Sequence, residues 1–192
     1  MADQTPSTTK CITPKAMLSY PHLFKPRAVD EGGEPKYSAA FVFAPGTDIS
    51  VMEKAAEVAG REKFGDKQFE TLKKAGKLRM PFRYDTEERG YPDGSTYFNA
   101  TSKTQPGMVQ PFAGKDGRPA ELTDEKDLYP GCFVRASINF YGYDTKGNKG
   151  VAAGLNNLQK MGEGERLDFR KAAADEFDAV DAAEMDDANS IL

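Results

Sequence analysis

The chain of 192 residues contains no tryptophan, one histidine and two cysteines. Each scarcity removes a kind of chemistry. With His22 alone, neither a histidine-based metal site nor a Ser-His-Asp triad has enough side chains to draw on, and the place of His22 beside Leu23 and Phe24 points to a structural role. Cys11 and Cys132 are too few for a disulfide scaffold and form no CxxC pair, so they read as two partly buried free thiols in a reducing compartment. No stretch reaches the run of about 18 apolar residues that a membrane helix needs. The polar stretch Met1 to Lys10 has no apolar signal core, which predicts residence in the compartment of synthesis. The glycine-rich pieces GKDGR and KGNKG lack the GxxxxGK[ST] phosphate cradle. Asp85, Glu87, Glu88 and Asp93 could hold magnesium for nuclease chemistry, but they fall in the turn-rich DTEERGYPDG, which reads as a solvated loop. The expectation is a protein without catalytic residues, metal or cofactor.

Base is also missing from one region. Residues 172–192 carry seven acids (Asp175, Glu176, Asp178, Asp181, Glu184, Asp186 and Asp187) and no Lys or Arg. The whole chain has 26 basic and 30 acidic residues, a net charge of −4. Without those seven acids, residues 1–171 carry 26 basic against 23 acidic residues, or +3. A weakly basic body with an acidic tail suits a nucleic-acid binder whose tail mimics a polyanion; a tail kept for solubility gives the same count. With few apolar anchors, the tail is expected to be disordered.

What is plentiful is glycine (18), proline (12) and phenylalanine (12), which favours a turn-rich β protein over a helical bundle. Residues 1–9 read as a flexible arm and 10–171 as one domain. Lys10 to Phe24 reads as a long first strand broken by Pro14 and Pro21, residues that suit an edge or a bulge. Tyr37 to Phe43 (YSAAFVF) reads as a strand. A helical insertion over 48–76 follows. Asp48 is its expected N-cap, and Ile49, Met52, Ala55, Ala56 and Ala59 share one face. Gly65 stops that helix, Asp66 caps a shorter one carrying Phe69 and Leu72, and Gly76 ends it. Leu78 to Tyr84, Ser95 to Lys103, Met108 to Phe112, Cys132 to Tyr143 and Lys149 to Met161 are the remaining strand candidates. The fold class expected is mainly β, a small barrel or curved sheet with two inserted helices.

The strand Cys132 to Tyr143 divides by parity. Cys132, Val134, Ala136, Ile138, Phe140 and Gly142 are apolar or small and belong on the core face. Phe133, Arg135, Ser137, Asn139, Tyr141 and Tyr143 form the other face. Exposed aromatics need a cover: a second layer of protein, a second subunit, or nucleobases. Single-stranded nucleic acid wants this mixture, because bases stack on Tyr and Phe while phosphates need Lys or Arg. On the next strand Val151, Ala153 and Leu155 form one face. Gly150, Ala152, Gly154 and Asn156 form the other, a small-residue face expected to leave room beside Tyr141 and Tyr143. The turn adds Lys146 and Lys149 at the rim. Ser95 to Lys103 repeats the pattern, with Phe98 and Ala100 inward and Tyr97, Asn99, Thr101 and Lys103 outward.

The runs Tyr129-Pro-Gly-Cys-Phe-Val-Arg-Ala, Asn139-Phe-Tyr-Gly-Tyr-Asp and Lys146-Gly-Asn-Lys-Gly-Val-Ala-Ala-Gly-Leu-Asn-Asn-Leu-Gln resemble a family of phage and prophage single-stranded DNA-binding proteins. Leu18-Ser-Tyr-Pro-His-Leu-Phe, Lys36-Tyr-Ser-Ala-Ala-Phe-Val-Phe and Tyr97-Phe-Asn-Ala-Thr-Ser-Lys agree, so the resemblance spans most of residues 10–180. It implies an OB-fold barrel elaborated with helices, single-stranded DNA as partner, action in the cytoplasm of a bacterial host, and an acidic tail that competes with DNA and recruits replication proteins. Related tails end in an aromatic, whereas here the apolar anchors are Phe177 and the pair Ile191 and Leu192. The alternative function is a phage structural or assembly protein whose aromatic face joins subunits into a homo-oligomer.

Overall fold

A computed structural model describes residues 8–28, 32–114 and 116–167. The strands are β1 (Lys10–Ile12), β2 (Ala16–Arg27), β3 (Lys36–Phe43), β4 (Leu78–Arg79), β5 (Thr96–Ser102), β6 (Gly107–Ala113), β7 (Pro119–Glu121), β8 (Phe133–Thr145) and β9 (Asn148–Gly162). Two helices, α1 (Ser50–Phe64) and α2 (Asp66–Lys74), lie between β3 and β4.

The pairings close on themselves. β8 pairs with β2, β2 with β3, β3 with β5, β5 with β9, and β9 with β8. All are antiparallel except β5–β9. The protein is thus mainly β with an OB-like ring of strands. Two joints of the ring are short: β2–β8 holds Ala16↔Val134 and Met17↔Phe133, and β5–β9 holds Ala100↔Ala153 and Thr101↔Gly154. The hairpin β6–β7 extends the sheet from the far end of β9.

Alternation in β8 explains the core. Cys132, just before the strand, and Val134, Ala136, Ile138 and Phe140 are 0–2% exposed and meet Phe41, Phe43 and Phe98 from β3 and β5. Phe98 stacks with Phe41 and Phe43 at centroid distances of 5.2 and 5.8 Å. The predicted face of α1 closes one side of this core, with Met52, Ala55, Ala56 and Ala59 buried. Its small residues let the backbone approach: Gly142 of β8 lies so close that a Cβ there would meet the Lys63 side chain at 2.3 Å.

The helix starts shift from expectation. Ile49 occupies the N-cap position of α1, and Asp48 instead accepts the Ser50 amide at 2.9 Å. Gly65, at φ 76°, both ends α1 and precedes α2, so Asp66 is the first residue of α2 rather than its cap. The stretch expected as a strand from Leu78 to Tyr84 pairs only at Leu78–Arg79 and at Arg83↔Tyr97. Pro81 lies between these pairings and has no amide to donate. The first predicted strand breaks at its prolines. Pro14 falls between β1 and β2, and a bulge falls between Ser19 and His22, where Tyr20 takes φ 44°. The acidic tail, with its seven acids and with Phe177, Ile191 and Leu192, lies outside the described residues.

Candidate nucleic-acid interface

The turn between β8 and β9 is two residues long, Lys146 (φ 51°) and Gly147 (φ 83°). Positive φ at both positions matches the right-handed twist of the hairpin arms. This turn sets the register Tyr143↔Gly150, Tyr141↔Ala152 and Asn139↔Gly154, so the predicted aromatic face and the small-residue face lie side by side.

The small residues do not leave empty room. A Cβ on Gly150 would sit 2.7 Å from the Tyr143 hydroxyl oxygen and 2.6 Å from the Arg79 carbonyl oxygen. On Gly154 it would sit 2.9 Å from Asn139 Oδ1. The glycines therefore let Tyr143 and Asn139 lie down across β9, while Tyr141, opposite Ala152, stays 43% exposed. Arg135 is exposed, and its Nε donates to Gln159 Oε1 at 2.8 Å. Phe133, half-buried, carries Lys15 Nζ 4.8 Å from its ring centroid.

Following the pairings sideways gives one band around the ring of strands. His22, Ser38, Thr101, Gly154, Asn139 and Lys10 are successive partners on β2, β3, β5, β9, β8 and β1. Asn99, exposed, stands two residues along β5 from Thr101, as Tyr141 stands two residues along β8 from Asn139. The expected residues Asn99, Asn139, Tyr141 and Tyr143 thus fall on a single curved surface, with Arg135 further along β8 and Lys146 at the hairpin tip.

Two expectations are corrected. Tyr97 lies on the outer face as parity requires, yet it is 2% exposed. The loop over 84–95 covers it: Tyr91 meets its ring edge-on at 5.3 Å and Arg89 Cζ lies 5.2 Å from its centroid. Here a second layer of protein covers the aromatic. Lys149 pairs opposite Asp144, which puts it on the opposite side of the hairpin from Tyr143; its Nζ lies 3.4 Å from Asp144 Oδ2 and 5.9 Å from the Phe64 ring of α1. Lys103 is exposed at the end of β5, and Glu34 neutralises it at 2.8 Å. That hydrogen bond holds the Glu34 carboxyl below its ordinary value.

The band also holds residues that parity reasoning passed over. A groove of about 390 Å³ over β2, β3 and β5 is lined by Tyr20, His22, Arg27, Arg89, Asn99 and Thr101, among others. Tyr20 is 58% exposed at its positive φ, a conformation that non-glycine residues adopt at a cost and that clusters at functional sites. His22 faces this groove rather than the core. Desolvation, then the charge of Arg27, lowers its pKa from the ordinary histidine value. The proline-containing bulge was the available clue, because one extra residue re-aims the side chains after it.

Among the described residues, no group of three or more His, Cys, Asp or Glu is arranged to hold a metal ion. None of their helices is long and apolar enough to cross a membrane.

A ring of five β-strands with an aromatic and polar outer band defines an OB-like protein. The family model described as "Enterobacter phage Enc34, ssDNA-binding protein" matches residues 9–189, and the chain belongs to that family of phage single-stranded DNA-binding proteins. A curated relative, "Putative protein p50" of Acyrthosiphon pisum secondary endosymbiont phage 1, is 33% identical over 183 residues, covering 88% of this chain and 93% of its own. In fold, the chain is similar to the single-stranded DNA-binding protein of bacteriophage Enc34 solved in complex with ssDNA, with TM-score 0.57, 24% identity, and 83% and 89% of the two chains covered. It is also similar to gp2.5, the single-stranded DNA-binding protein of bacteriophage T7, with TM-score 0.55, 16% identity, and 88% and 94% covered.

Proposed function

We propose that this protein binds single-stranded DNA without sequence preference and without catalysing a reaction. In that role it protects and organises single strands during phage DNA replication, recombination or repair in the host cytoplasm. The observation that carries this reading is the band. Exposed Tyr20 and Tyr141 provide π faces, Asn99, Thr101 and Asn139 provide a polar floor, and Arg27, Arg89, Arg135, Lys10 and Lys146 surround them with positive charge. Stacking and phosphate contacts together are how single strands are held without reading base edges. Membership of the family supports the same ligand. The tail over 172–192 competes with DNA for Arg135 and Lys146 and, once displaced, is free to recruit replication and recombination proteins through its acids and apolar anchors.

The test is binding to a labelled oligothymidylate and to a duplex across a salt series. The full chain and a truncation after Lys171 are compared. Preference for the single strand with a steep salt dependence is the expected result. Absence of any salt-dependent binding, together with concentration-dependent self-association through Tyr141, would instead identify the band as a subunit interface.

A further inference from the structure

A second cross-strand row lies near the other end of the outer face. Phe133 pairs with Met17, Met17 with Val42, and Val42 with Tyr97. The loop over 84–95 folds onto the Tyr97 end through Tyr91. The other end is open, a groove of about 410 Å³ lined mainly by Met17, Val42, Pro45, Pro92, Ser95 and Phe133. Lys15 is the one charged residue lining it. Ser95 is 2% exposed, and its Oγ has no hydrogen-bond partner among the described residues. A buried hydroxyl left without a partner is costly and calls for an explanation. Here the oxygen is closed off from solvent, so it belongs to the wall of the groove and not to its open surface.

The course of the chain brings an occupant to this groove. After β9 the backbone returns along Tyr129 and Gly131. The Tyr129 hydroxyl donates to Glu163 Oε2 at 2.7 Å, and the Leu167 amide donates to the Pro130 carbonyl at 2.9 Å. A Cβ on Gly164 would lie 3.2 Å from Phe133 Cε2. The described chain therefore leaves the domain beside the start of the strand that carries Phe133. Phe177 follows Leu167 by ten residues, a reach of up to roughly 35 Å when extended. It is the only aromatic among residues 172–192, and Glu176 and Asp178 flank it in a stretch without a single base.

We propose that this groove is the docking site for the segment Glu176-Phe177-Asp178 of the same chain. The ring enters between Phe133, Met17 and Pro45. The flanking carboxylates meet Lys15, the charged residue of the groove. The acids beyond Phe177 then come within reach of Arg135, two residues from Phe133 on the same strand face. This seat lies apart from the band from His22 to Lys10 and does not depend on that band binding DNA, so the two proposals fail separately.

The absence of tryptophan supplies the test. In a Phe177→Trp chain the indole is the only one. Its emission in the native full-length protein should be blue-shifted, and protected from acrylamide, relative to the urea-unfolded protein. Lys15→Glu and Met17→Glu should each return it towards the unfolded spectrum. Lys15 is exposed, so its variant keeps the fold even where Met17→Glu does not, and circular dichroism verifies this. A peptide of residues 172–182 should bind the truncation after Lys171, and several-fold more weakly when Lys15→Glu is present. Three results would overturn the proposal: identical emission in native and unfolded chains, a signal lost with Lys146→Glu but not with Lys15→Glu, or a signal that grows with protein concentration and so belongs to a second copy.

Discussion

Tyr141 is 43% exposed on a strand whose neighbouring residues Ile138 and Phe140 are 0% and 2% exposed. Its ring is free because Ala152 opposes it, whereas the ring of Tyr143 is spread over Gly150. Tyr141→Ala should cost about 1–3 kcal/mol of single-strand affinity, the usual size of one lost stacking platform. Circular dichroism should be unchanged, and an unaltered oligothymidylate titration would remove Tyr141 from the interface. Phe140→Ala, one residue away on the core face, should instead destabilise the fold by about 3–5 kcal/mol in urea unfolding. His22 gives the interface a pH dependence that can be signed. Its lowered pKa keeps the ring neutral at pH 7. A nearby phosphate favours the protonated ring, so affinity should rise as pH falls below the ordinary histidine range, and His22→Gln should flatten that rise. In the DNA-free protein the same shift acts oppositely. The unfolded chain binds the proton first, so stability is lost as pH falls through that range. Which residues of β8 face outward was legible from parity alone, and of its outward aromatics Tyr141 is the exposed one. The outward aim of His22 was not, because it depends on the bulge at Tyr20 and Pro21, which a strict two-residue period cannot register.

At the scale of elements, the hairpin β8–β9 depends on glycines that the neighbouring strand uses. Gly150→Ala would place a methyl group 2.6 Å from the Arg79 carbonyl oxygen and 2.7 Å from the Tyr143 hydroxyl. The first contact is with backbone and cannot be relieved by a rotamer change, so the β4–β9 pairing should loosen. Amide exchange at Leu78 and Arg79 should speed up ahead of the rest of the sheet. The two thiols report on different elements. Burial pushes the pKa of both Cys11 and Cys132 up to about 11, so both are protonated at pH 8 and poor nucleophiles. Cys132, fully buried, should react with a disulfide reagent only on unfolding, and the stability that depends on its neutral form should fall as pH rises from about 9 towards 11. The helix pair was readable because a run of small residues at helical spacing can face only a close neighbour. The covering of Tyr97 was not readable, since it depends on Tyr91 and Arg89 returning from a loop with no period of its own. The face of Lys149 was readable, since it stands two residues before Val151 and so shares the core-side parity of Val151, Ala153 and Leu155.

For the whole molecule, charge is divided between a body of +3 over residues 1–171 and seven acids beyond. Removing residues 172–192 should tighten single-strand binding most at low salt, where screening is weakest. The log-log salt slope of the truncated protein should be about −0.7 per phosphate neutralised. Equal affinities for both forms across the salt series would mean that the tail never meets the band.

The joint between β5 and β9 has a further consequence. It is held by Ala100↔Ala153 and Thr101↔Gly154, and the second of these pairs is also a step of the band. On the path proposed above, a strand of DNA reaching from Asn99 to Tyr141 crosses one of the two short seams of the hoop, as a clasp crosses the gap in a bracelet. Stabilisation by a ligand ordinarily follows its affinity and concentration alone. Here it should also have a location. Amides of β5 and of the middle of β9 should gain more protection from exchange on adding oligothymidylate than those of β2 and β3, whose long antiparallel pairing is already closed without it.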